Sequence, residues 1–103
     1  MESVPITQKF ILEALKANRE HLRNEFGIER IGLYGSFARN EQTEKSDIDL
    51  VYDLELGRRL SLVDRDRLQR ILKKQIRRKP DLINQRYMNP FTRYTMLKNV
   101  IYL

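Results

Sequence analysis

Gly35-Ser36-Phe37-Ala38-Arg39, followed after a short polar loop by Ser46-Asp47-Ile48-Asp49-Leu50, is the stretch on which the reading of this chain turns. From Ser46 to Leu54 the residues Ile48, Leu50 and Tyr52 alternate with Asp47, Asp49, Val51 and Asp53, the period of two expected of an extended strand. Ile48 and Leu50 would face the core and fix the strand. Asp47 and Asp49 would share the opposite face, with α-carbons about 6.6 Å apart. Flexible side chains can close that gap onto two metal ions roughly 3.5 to 4 Å apart, the separation used in two-metal phosphoryl transfer. Taken alone, an Asp-x-Asp pair is equally well explained as a solvated strand face.

The upstream segment changes that balance. Ile28 to Tyr34 reads as a short strand, with Ile31 and Leu33 on one face, and it runs into Gly35-Ser36. Glycine at a strand end lets backbone N–H groups come close to a phosphate, and a helical turn over Ser36 to Asn40 would add unpaired donors and partial positive charge. Ser36 offers a hydroxyl to the same phosphates. Arg39 lies three residues later, so on a short helix it would project to the same side and reach a triphosphate. A solvated surface arginine is the alternative there.

Working outward, Ile11, Leu15, Leu22 and Phe26 recur at helical spacing, so the sequence predicts an amphipathic helix over Thr7 to Asn24, stopped near Gly27. After a turn around Gly57, Ser61 and Asp64 have the spacing of a capping box opening a helix through Ile76, with Val63, Leu68, Ile71, Leu72 and Ile76 as its buried stripe. Asp81 to Asn84 follows Pro80 as a third strand. Asn89 and Pro90 are the expected cap and first residue of a last helix whose apolar face is Leu97, Val100 and Ile101. Arg77-Arg78-Lys79 reads first as cations closing a helix end. Such an order implies an α/β (α+β) fold, a small mixed sheet of at least three strands covered by helices, forming one domain over residues 1–103.

Composition narrows the chemistry. The chain has no cysteine and one histidine, His21, so thiolate and histidine-cluster metal sites are excluded, and any metal must be held by oxygen, as magnesium, calcium and manganese are. A formal net charge of +6 attracts nucleotides, nucleic acid or an acidic protein. No apolar run approaches the roughly 18 residues of a membrane span, and no signal-peptide pattern opens the chain, so a cytoplasmic protein is expected.

Gly35-Ser36-Phe37-Ala38-Arg39 with Ser46-Asp47-Ile48-Asp49-Leu50 resembles the signature of the DNA polymerase beta-type nucleotidyltransferases, and most closely its shortest branch, the MNT-type minimal nucleotidyltransferases. The resemblance implies that Asp47 and Asp49 hold magnesium, in the form of two ions, and that Gly35, Ser36 and Arg39 hold a nucleoside triphosphate. It further implies a third acid on a later strand, for which Asp81-Leu82-Ile83 is the match, although Pro80 stands where relatives carry an aliphatic residue. Asn40 departs from the usual glycine, but asparagine tolerates a left-handed backbone well.

Chains resembling this one act as the antitoxin of prokaryotic toxin–antitoxin pairs beside a HEPN-domain toxin. The implied activity is transfer of AMP from ATP to a tyrosine hydroxyl of that partner. The alternative is an antitoxin that neutralises its HEPN partner by contact without catalysis. A small-molecule nucleotidyltransferase would need a second helical domain. A direct nucleic-acid module would show a binding signature that is not visible here.

Overall fold

The computed structural model describes residues 5–103. Helix α1 (Gln8–Phe26) begins where the Thr7 hydroxyl accepts a hydrogen bond from Phe10 N–H, and it stops at Gly27, whose left-handed φ of 69° lets its N–H reach the Arg23 carbonyl. Its buried face is the predicted one: Ile11, Leu15, Leu22 and Phe26. Strand β1 (Ile28–Tyr34) pairs antiparallel with β2 (Asp49–Leu54). Helix α2 (Leu62–Ile76) then carries the chain over to β3 (Asp81–Asn84), which lies parallel to β2, a pairing that requires such a crossover. A 3-10 turn (Gln85–Tyr87) and helix α3 (Pro90–Leu97) lead to β4 (Ile101–Tyr102), antiparallel to β1. The sheet order is therefore β3-β2-β1-β4, the expected small mixed sheet with one strand more than the sequence revealed.

One core cluster joins the buried faces of α1 and α2 to Ile31, Leu33, Ile48, Leu50 and Tyr52 of the sheet region. Ser61 caps α2 through a complete capping box with Asp64, as the spacing predicts. Of its expected stripe, Leu68, Leu72 and Ile76 are buried, whereas Val63 is 68% exposed because it falls in the first turn, beyond the sheet's cover. Asn89 caps α3 by accepting from Thr92 N–H, with Pro90 in the first turn.

Four segments depart from the sequence reading. Residues 36–40 form successive turns rather than a helix, closed by Arg39 N–H to Gly35 O and Glu41 N–H to Ser36 O. Strand β2 starts at Asp49 rather than Ser46, because only from there does β1 supply a partner. Val51, expected on a solvated face, is fully buried in the middle of the sheet, between Gly32 of β1 and Ile83 of β3. The last helix ends at Leu97, and Val100-Ile101-Tyr102 leaves it for the sheet. Those β-branched and aromatic residues suit an extended edge, and Gly32 opposite Tyr102 leaves room for the ring: a Cβ there would stand 2.8 Å from Tyr102 Cδ1.

Candidate active site

The site lies where β1 ends and β2 and β3 begin. Asp49 is the first residue of β2, paired across β1 with Tyr34 and across the parallel edge with Asp81. Neighbouring strands are about 4.8 Å apart, so Asp49 and Asp81 are adjacent rungs of one ladder. Asp81 N–H donates to the Ile48 carbonyl, which fixes the start of β3 against the segment bearing Asp47. Asp47 precedes the strand, yet the alternation persists through it: Asp47 is exposed, Ile48 buried, Asp49 half-buried and Leu50 buried. The structure thus brings the three predicted acids to one end of the sheet.

Electrostatics reports their proximity. Partial burial raises the Asp49 carboxyl to about 6, and the charges of Asp81 and then Asp47 push it the same way, with Arg39 opposing. Tyr34, half-buried beside them, is raised to about 12, first by desolvation and then by Asp49 and Asp81. Mutual repulsion of carboxylates is the condition a divalent cation relieves, and oxygen-only donors suit magnesium. Among the described residues, no three such groups stand close enough to grip an ion as the side chains now lie. The donor set fits the metal in its chemistry, and closure onto an ion requires side-chain rotation.

Gly35 meets two demands at once. Its φ is 76°, and a Cβ on it would collide with Oδ2 of Asp49, so glycine lets the left-handed turn and the carboxylate in its present position coexist. Beyond it, the N–H groups of Ser36, Phe37 and Ala38 make no hydrogen bond among the described residues, whereas those of Arg39, Asn40 and Glu41 are used within the turn. Three consecutive free donors beside an acidic cluster have the arrangement of an anion-binding nest, without a helix. The Asn40 backbone takes the expected left-handed form, at φ 60°. Arg39 is exposed and 3.6 Å from Glu41, within electrostatic reach of Asp49 and free to swing.

Three contributors escaped the sequence reading. Gln8 of α1 donates from Nε2 to the carbonyls of Phe37 (3.0 Å) and Ala38 (2.9 Å), holding the turn's carbonyls on one side. Arg78 donates 2.6 Å to the Ser46 carbonyl and so ties the loop carrying Asp47 to the segment leading to Asp81. Tyr34 completes the site's wall. Only Tyr34 left a local signal, since strand parity sets it opposite Leu33. Arg78 was read as helix closure, but α2 ends at Ile76, and Arg77 forms the cap, with its guanidinium 5.1 Å from the centre of the Phe10 ring. Asp53 is remote from the site, in an ion pair with Arg30 at 2.6 Å.

Comparison with known proteins agrees with this geometry. The chain is 31% identical to the protein adenylyltransferase MntA of Thermococcus cleftensis over 99 residues, which cover 95% of this chain and 97% of that one. Two solved structures share the fold at lower identity. One is a toxin–antitoxin with AMP-PNP (TM-score 0.64, 20% identity, 92% of this chain and 70% of that one). The other is a tri-AMPylated Shewanella oneidensis HEPN toxin in complex with MNT antitoxin (TM-score 0.63, 17% identity, 89% and 70%). The family model of the nucleotidyltransferase domain matches residues 14–103, which hold every strand and all the acids just described, and the chain belongs to that family.

Proposed function

We propose that this chain is a magnesium-dependent protein adenylyltransferase that acts as an antitoxin, moving AMP from ATP to a tyrosine hydroxyl of a HEPN-domain partner. The observation that carries the reading is the contact of Gly35 with the Asp49 carboxylate, which sets a row of free N–H donors directly beside three acids. Ser36, Phe37 and Ala38 N–H groups and Arg39 take the triphosphate oxygens. Asp47 and Asp49 would hold the metal, with Asp81 completing the set. Magnesium, when bound, neutralises charge on the transferring phosphate and on the leaving pyrophosphate.

The tyrosine oxygen attacks the α-phosphorus in line. The bond from that phosphorus to the bridging oxygen breaks, pyrophosphate departs, and the phenolic proton passes to Asp81 or to water. Asp81, exposed at the edge of the sheet, is well placed for an acceptor arriving from solvent. The kinship with MntA and the likeness to a structure holding AMP-PNP support an adenylyl donor. The cytoplasm, where ATP is available, is the expected compartment.

Label transfer from α-labelled ATP to a co-purified HEPN partner tests the reading. Asp47→Asn with Asp49→Asn should reduce transfer at least about 100-fold. An antitoxin that works by contact alone would neutralise its partner with no label transferred.

A further inference from the structure

At the opposite end of the sheet from the acids lies a second concavity, a cleft of about 850 Å³ bounded by the far ends of β1, β2 and β3 and by the turn after β2. Its lining on β2 begins at Tyr52, roughly 10 Å along the strand from Asp49. Guanidinium groups crowd its walls. Arg30 is committed to Asp53 and to the Tyr102 ring, and Arg58 donates to the Glu25 carbonyl. Arg19, Arg59, Arg65 and Arg86 also line the cleft, and among the described residues none of them is in an ion pair. Of the acidic side chains in the lining, Asp53 and Glu55 are paired with Arg30 and Arg23, leaving Glu29 against Arg19, Arg59 and Arg65, while Arg86 lies over the Tyr87 ring at 6.0 Å from its centre.

Two tyrosines complete the surface. Tyr87 is 74% exposed, so although the Arg86 guanidinium lies over one face of its ring, the rest of the ring is available for stacking. Tyr52 is 4% exposed, lines the same cleft, and makes no side-chain hydrogen bond among the described residues. Guanidinium forks match phosphate oxygens in pairs, while an open aromatic face takes a base of any identity. A carboxylate-bearing peptide would use the arginines but leave the exposed ring surface unused.

We propose that this arginine-lined cleft is a second binding site, distinct from the acidic centre, for a phosphorylated nucleotide, supplied either as a free mononucleotide or as a unit of single-stranded RNA. The arginines hold the phosphate, Tyr87 carries the base, and the Tyr52 hydroxyl faces the ligand as an additional donor.

Fluorescence anisotropy on the full chain tests this, using Asp47→Asn with Asp49→Asn in EDTA to remove metal-dependent binding at the acidic centre, so that the arginine changes report on the cleft alone. The probes are a fluorescent ADP, a labelled short oligouridylate and a labelled poly-glutamate peptide. At least one phosphate-bearing probe should bind, and Arg59→Ala with Arg65→Ala should weaken it at least about tenfold. Tyr87→Ala, at an exposed position that leaves the core intact, should weaken it about fivefold or more. Preference for ADP identifies the free nucleotide as the source, and preference for the oligouridylate identifies the strand. Poly-glutamate binding as tightly as both phosphate probes, no binding of either phosphate probe, or binding indifferent to the arginine changes would each overturn the proposal.

Discussion

Asp49 and Gly35 constrain each other more tightly than any other pair of residues at the site. Gly35→Ala combines a left-handed backbone with a side chain pressed into the Asp49 carboxylate. The left-handed conformation alone costs about 1–2 kcal/mol, so a thermal midpoint lower by several degrees and a loss of adenylyl transfer of at least about tenfold are expected, read by calorimetry and label transfer. The raised Asp49 value has its own consequence. The folded protein keeps that proton up to about pH 6, whereas the unfolded chain releases it near 4, so stability from this group is greatest at low pH and declines as pH rises through that window. In the absence of divalent cations, Asp49→Asn should therefore melt higher than the native protein at pH 7.5, and the gap should close as pH falls from 6 toward 4. An unchanged gap would show that the carboxylate is not under that pressure. Asp47, Asp49, Gly35 and Ser36 were legible because strand parity and a glycine hinge are local signals. Gln8 and Arg78 were not, because their partners lie about thirty residues away in sequence.

Among the elements, helix starts with caps written into the sequence were read correctly, as were strands β1 and β3, whose flanking glycine and proline mark their ends. Ser61 accepts from Asp64 N–H at 3.0 Å while Asp64 accepts from Ser61 N–H at 3.2 Å. Ser61→Ala should cost about 1 kcal/mol, seen as a lower midpoint in urea with unchanged slope. The same locality explains why Thr7, Gly27 and Asn89 marked their helix ends. The limits of β2 and β4 depend instead on what lies alongside. The start of β2 is set by where β1 ends, and β4 exists because β1 has an open edge with Gly32 on it. Apolar residues at 97, 100 and 101 satisfy a helical period as well as a strand edge, so periodicity alone could not separate the two. The segment 36–40 makes one i→i−4 bond, Arg39 N–H to Gly35 O, and then closes as turns at the left-handed Asn40 instead of continuing as a helix.

Over the whole molecule, the sheet separates two electrostatic worlds, three acids at one end and an arginine-lined cleft at the other, while α1 packs along the core and lends Arg19 to the cleft. The overall layering was readable from the order of elements, since helices alternating with short strands leave few ways to cover a small sheet. The double hydrogen bond from Gln8 carries a further implication. The turn at residues 36–38, closed by its own backbone hydrogen bonds, is also tied through the Phe37 and Ala38 carbonyls to the opening coil of a helix that begins far upstream. Local breathing of that coil must loosen the turn, and by reciprocity anything that quiets the turn quiets the coil. Deuterium uptake at the amides of residues 9–12 should slow when magnesium and a non-hydrolysable ATP are added, and Gln8→Ala should uncouple that response, making the first helical turn a remote reporter of occupancy.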